Sequence, residues 1–238
     1  MEFMDNCNCT VFNWNVIGLN NPARRKVVRD LVLQHRATIV CLQETKLELV
    51  DRQIVMETLG TSFCDSFRCL PAAGTRGGLI IAASQDFFNI ESHFLSENSI
   101  TTNLTMRANG TQWSLTTVYG PQSDHEKLLF IEELKSIKPS VLPCWLVIGD
   151  FNLLYRASDK SNTNVNRRLL NSFRAAIDYL ELSELHLHGR RFTWTSTCQQ
   201  QTRTKFDHVS ARLIGTSCSH NATCLLSLLP CPTIVPLF

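Results

Sequence analysis

Hydrophobic and polar positions along the chain fall into two periods. Runs with β-branched centres and alternating side chains predict strands at residues 10–16, 37–42, 62–70, 79–83, 87–94, 99–107 and 112–119. Apolar positions three and four apart predict helices at 51–59, at 123–137 through Leu128, Leu129, Ile131, Leu134 and Ile137, and at 167–180 through Leu169, Leu170, Phe173, Ile177 and Leu180. A further helix starts at Asn21-Pro22, with Asn as cap and Pro in the first turn, and sets Arg24, Arg25, Lys26 and Arg29 around Val27, Val28, Leu31 and Val32. The charges on that helix read either as a solvated outer face or as a phosphate contact. Gly74, Gly77-Gly78 and Asn109-Gly110 separate the middle strands. So many strands in succession imply antiparallel pairing rather than repeated βαβ units, and residues 190–195 and 205–210 predict closing strands.

Residues 144–152, CWLVIGDFN, form an apolar run of strand length that stops at a glycine and then presents Asp150 and Asn152. Ligands of open α/β sheets collect beyond the carboxyl ends of strands, which is where these two side chains stand. The same pair also reads as an Asx turn. Asn15 closes the first predicted strand, Glu44 follows the second, Tyr119-Gly120-Pro121 breaks the seventh, and Asp207 lies on the last. All these groups offer oxygen, without a His/Cys cluster, and hard oxygen ligands suit Mg²⁺, with Mn²⁺ as the alternative, better than zinc. Each has a plain alternative as well: Glu44 as a loop cap, Asn15 as a backbone partner, Asp207 as a partner of Lys205. The polar loop 156–166 is of a length that tends to be functional or mobile.

Composition narrows the picture only slightly. A chain of 238 residues with 44% hydrophobic and 18% charged residues fits one large globular domain. A formal charge of +2 announces no polyanionic partner, so any basic surface is local. The ten cysteines are scattered without a CxxC pair and read as mostly reduced core thiols. Neither a targeting segment nor an apolar stretch long enough to span a bilayer is visible, so no membrane partner is expected, and Asn-x-Thr triplets such as 103–105 read as coincidence.

Seven strings carry a resemblance that the separate residues only suggest: NWNVIGLNNPARRKVVRDL, IVCLQETKLE, TRGGLIIA, VYGP, WLVIGDFN, GRRFTWTS and KFDHVS, in that order between about residues 12 and 210. The chain resembles the endonuclease/exonuclease/phosphatase superfamily, most closely the apurinic-type endonuclease domain of plant LINE retrotransposons. The resemblance implies a four-layer α/β sandwich of two facing mixed sheets flanked by helices, with the site at one edge. It implies Glu44 as the principal metal ligand with Asn15 beside it, Tyr119 on the scissile phosphate and Asp150 orienting or deprotonating the attacking water. Asn152 would stabilise the transition state, with Asp207 behind the site. Arg24, Arg25, Arg76, Arg167, Arg190 and Arg191 are candidate nucleic-acid contacts, and Trp194 matches an aromatic position that in such domains lies near the nucleic-acid face, although a lone tryptophan more often belongs to the core. The expected partner is DNA, the expected state a monomer, and a DNA substrate would place the chain in the nucleus. A phosphate monoester or phosphoinositide substrate, a non-catalytic nucleic-acid binder and a decayed fragment are the competing expectations.

Two departures bear on activity. Ile17 stands where relatives often carry arginine. Relatives also close with a Ser-Asp-His motif whose histidine completes the site, whereas residues 214–238 contain no Asp, Glu, Lys or Arg. Residues 214–224, IGTSCSHNATC, can be encoded by codons that spell DWDELFPQCHL in another frame, and residues 231–236, CPTIVP, can hide SDHCP. The expectation is therefore a short extension at 1–11, an endonuclease-type domain at 12–212 with its last strand missing or altered, and a frameshifted apolar tail at 213–238. His208 could replace the lost histidine only if it faced the site, and strand alternation from Asp207 turns it to the opposite face.

Overall fold

The computed structural model describes residues 9–74, 76–185, 192–196 and 201–212, so the expected extension and tail lie mostly or wholly outside the described residues. Two mixed sheets face one another. The first has strands in the order β1 (Val11–Asn15), β2 (Ile39–Gln43), β4 (Arg76–Ala83) and β3 (Phe67–Ala73), with β1 and β2 parallel. The second runs β5 (Phe88–Leu95), β6 (Ser99–Met106), β7 (Gln112–Tyr119), β8 (Trp145–Asp150), β12 (Asp207–Arg212) and β9 (Ser183–Glu184). Among the described residues its one parallel pair is β7 with β8. A ribbon of β10 (Trp194–Thr195) and β11 (Arg203–Thr204) lies beside it in sequence.

Alternation along β2 explains the layers. Ile39 and Cys41 point between the sheets, where they join Leu79, Ile81, Ile100, Leu115, Ile148 and Val209. Val40 and Leu42 point outward onto α1 (Pro22–Gln34) and α2 (Arg52–Thr58), meeting Val28, Val32 and Val55. On the other side, Trp145 and Val147 of β8 pack under α3 (Asp124–Ile137) and α4 (Arg167–Tyr179). The result is the expected helix–sheet–sheet–helix sandwich. Each helix begins where a side chain caps it: Asn21 accepts from Ala23 N–H, Asp51 from Ile54, Ser123 from Glu126 and Asn166 from Leu169.

Two strand expectations are corrected. Residues 62–70 divide into a single 3₁₀ turn, Thr61–Phe63, and β3, which continues through Pro71 to Ala73. Proline is tolerated there because β3 is an edge strand. The closing strand starts at Asp207 rather than Lys205, and β9 is a two-residue strand too short to leave a periodic signal.

Candidate active site

The site forms where both sheets end together. In the second sheet Tyr119, Asp150 and Asp207 are register partners on the adjacent strands β7, β8 and β12. In the first, Asn15 pairs with Gln43, and Glu44 follows. A hydrogen bond joins the two edges: Asn15 Nδ2 donates to Asp150 Oδ2 at 3.1 Å. The other Asp150 oxygen accepts the Asn152 backbone N–H at 3.0 Å, and Asn152 Nδ2 donates to the Gly120 carbonyl at 2.7 Å. Thus Asn15, Glu44, Tyr119, Asp150, Asn152 and Asp207 are brought together.

Left-handed backbone marks the same place. Ile17, Glu44, Lys46 and Asn152 have φ of 50°, 54°, 56° and 51°. An exposed β-branched residue in that region is a genuine outlier, and such outliers cluster at functional sites. Ile17 is held by Asn15 Oδ1, which accepts its N–H, and by Arg24 Nη1, which donates to its carbonyl at 2.7 Å. Glycine is required at two neighbouring positions: a Cβ on Gly120 would collide with the Phe151 carbonyl, and one on Gly149 with that of Val118.

Negative charge is concentrated here. Burial raises the affinity of Asp150 for a proton, and the nearby Glu44 charge adds to it, against the opposing Asn152 and Asn15 hydrogen bonds. Burial and the Asp150 charge push Asp207 up to about 7, although its bond with Thr193 resists. Burial, with the charges of Glu44 and Asp150, raises Tyr119 well above the ordinary phenol value, so its hydroxyl stays protonated. Lys46 Nζ lies 3.1 Å from Glu44 Oε1, and Lys127 on α3 is in electrostatic contact with Asp150, Asp124 and Lys160. Sequence patterning passed over both lysines. Lys46 was within sight, two residues after Glu44, whereas Lys127 depends on how α3 is laid over β8.

A carboxyl group whose folded value lies above its unfolded one of 3.8 costs stability when ionised. That cost is absent below the unfolded value, grows as pH rises from there to about 7, and is complete above it. Asp207→Asn is accordingly expected to stabilise the metal-free chain at pH 8. The gain should be on the order of 1 kcal/mol, or about 2–4 °C in a thermal melt, and should vanish near pH 4.

The arginines are placed differently from a free phosphate clamp. Arg25 pairs with Glu57 at 3.0 Å and donates to the Leu19 and Asn20 carbonyls, and Arg24 bonds Val16 and Ile17. These two side chains staple the loop after β1 instead of forming an unpaired basic face. Arg167 is exposed at the first turn of α4. Trp194 is 48% exposed and rests on Phe206, one residue before Asp207. Arg76 opens β4; Arg190 and Arg191 lie outside the described residues. His208 is buried on the far face of β12, as alternation from Asp207 requires. Among the described residues no helix is long and apolar enough to cross a membrane.

Six side chains that offer oxygen thus meet at the edge of a two-sheet sandwich. The model of the Endonuclease/Exonuclease/phosphatase family matches residues 8–232, and the chain belongs to that family. Solved structures with the same fold include the AP endonuclease LMAP from Leishmania major, with a TM-score of 0.64 and 15% identity over 85% of this chain and 78% of that one. The endonuclease domain of TRAS1, a telomere-specific non-LTR retrotransposon, gives 0.61 and 13% over 85% and 83%. A mannosyl-6-phosphatase from Bacteroides thetaiotaomicron gives 0.56 and 15% over 86% and 85%.

Proposed function

We propose that this chain is a Mg²⁺-dependent phosphodiesterase of the retroelement endonuclease type that nicks DNA. The observation that carries the proposal is the meeting of Asn15, Glu44, Tyr119, Asp150, Asn152 and Asp207 at one edge, with Asn15 and Asp150 bonded across the gap between the sheets. The resemblance of its motifs to LINE endonucleases, and the likeness of its fold to an AP endonuclease and a retrotransposon endonuclease domain, support DNA as the substrate. A DNA substrate would in turn place the chain in the nucleus.

The donor set fits a hard divalent cation. It is made of oxygens, and the raised proton affinities of Asp150 and Asp207, which come first from burial and then from a neighbouring carboxylate, mark carboxylates that a cation would help to keep ionised. Among the described residues no three acidic, His or Cys side chains close into a complete cage. Glu44 and Asn15 would hold the ion, leaving its other positions to water and substrate, as Mg²⁺ commonly does. The ion would neutralise the phosphodiester and the leaving oxygen. Asp150, oriented by Asn15 and Asn152, would take the proton of the attacking water. Tyr119, kept protonated, would donate to a phosphate oxygen, as would the second amide hydrogen of Asn152. Asp207, buried beside Asp150 on the neighbouring strand, would support the site from behind. Residues 208–238 carry no Ser-Asp-His motif, and without one cleavage would be slow.

Purified chain should be offered supercoiled plasmid, a nitrophenyl phosphate monoester and a soluble phosphoinositide, each with Mg²⁺. Cleavage of the plasmid alone is the expected result, and turnover of the monoester in preference to DNA would replace the nuclease reading with a phosphatase one. Glu44→Gln is expected to weaken Mg²⁺ binding, measured by calorimetry, by at least about tenfold.

A further inference from the structure

Behind the site, on the helix side of the second sheet, lies a polar group that the proposed chemistry does not use. His208 is 1% exposed, and its ring sits against those of Phe151 and Phe173 at 5.7 and 5.9 Å. Its Nδ1 is 2.9 Å from Glu184 Oε1 and its Nε2 is 3.0 Å from the Leu153 carbonyl. Glu184 is fixed in turn by Lys205 Nζ at 2.6 Å and Arg156 Nη2 at 3.0 Å. Packing alone does not call for histidine here, since a phenylalanine would fill the same space between two phenylalanines. What distinguishes histidine is its pair of bonds.

One of those bonds, from Nε2, ends on the turn that carries the candidate chemistry, and the other ties the ring to Glu184. Leu153 closes the segment that opens with Asp150, and between them Asn152 adopts φ +51° and reaches Gly120. The inner end of the turn is held by Asn15 on Asp150. The outer end is held by His208, through the Leu153 carbonyl and the Phe151 ring.

We propose that His208, braced by Glu184, is a positioning residue for the candidate site, fixing the Asp150–Leu153 turn from behind so that Asp150 and Asn152 keep their places. Only the catalytic arm of this inference rests on the phosphodiesterase reading. His208→Phe keeps the aromatic packing and removes both bonds. His208→Gln can carry its amide to the Leu153 carbonyl, whereas His208→Asn is too short to do so.

The test uses the full chain and two measurements. In hydrogen exchange, residues 150–155 of His208→Phe should lose protection by about tenfold, the worth of one net hydrogen bond, while β2 exchanges as before and His208→Gln recovers. In plasmid nicking with Mg²⁺, kcat of His208→Phe should fall on the order of 10²-fold, the effect of a small misplacement, with KM for DNA little changed and His208→Gln partly restored. Unchanged exchange in the turn of His208→Phe, or equal behaviour of the Phe and Gln variants, would overturn the inference. Should His208→Phe not fold, the comparison passes to Gln against Asn, and an Asn variant with a turn as protected as that of the Gln variant overturns it. A loosened turn in a protein whose native form cleaves nothing would uphold the positioning role and sink the phosphodiesterase reading instead.

Discussion

Asp150→Ala is expected to lower Mg²⁺-dependent nicking by about 10²–10⁴-fold, the usual contribution of one placed acid or base. Plasmid relaxation followed on gels would measure it. The carboxylate sits at the junction of the two sheets: one oxygen accepts from Asn15, the other from the Asn152 backbone, and Tyr119 and Asp207 are its register partners on either side. Removing it takes away the group that burial makes more basic than an ordinary aspartate. It also frees Asn15 from the opposite sheet. The fold should survive, because the apolar layers between β2, β4, β7 and β8 do not depend on this side chain. A melt within a few degrees of the native chain, together with lost nicking, would separate chemistry from folding.

Glu184→Ala is expected to act on folding instead, by about 3–5 kcal/mol, the cost of breaking a buried charged network by removing one partner. The Glu184 side chain is 6% exposed and receives Lys205, which is 12% exposed, and His208, which is 1% exposed. Truncation would leave Lys205 and His208 facing one another without their shared acceptor. Denaturant unfolding at pH 7 would show the loss. The pH dependence carries a sign of its own. Burial raises Glu184, but its bonds from His208 and Lys205 more than reverse this and bring it to about 2, against an ordinary 4.5. The resulting stabilisation is complete above the ordinary value and disappears as pH falls through about 2. Native protein should therefore lose stability over that acid window more steeply than Glu184→Gln does. Equal slopes would mean that the network contributes nothing.

Strand period was the most legible feature of the chain. Residues 37–42 are apolar throughout and read as a strand without showing that Ile39 and Cys41 face inward and Val40 and Leu42 outward, whereas parity from Asp207 did turn His208 to the opposite face of β12. Because strand ends meet at one edge of such a sandwich, reading where strands stop also picked out the six side chains that the fold brings together. Other features were hidden for physical reasons. A two-residue strand has no period, so Glu184 went unnoticed although it anchors His208 from 24 positions away. The sequence strand stopped at Leu70, one residue before Pro71, whereas the edge position of β3 lets the strand continue through that proline. Helical charge patterning cannot tell which guanidinium groups turn back onto carbonyls, as Arg24 and Arg25 do.

The measurement that bears most directly on the account is nicking of supercoiled plasmid by the purified chain, alone and with a Ser-Asp-His-ending strand grafted after Ser210. The prediction is slow nicking that needs Mg²⁺, stops with EDTA and in Asp150→Ala, and accelerates in the grafted protein. Nicking that persists in EDTA or in Asp150→Ala, or folded grafted protein that nicks nothing, would contradict it.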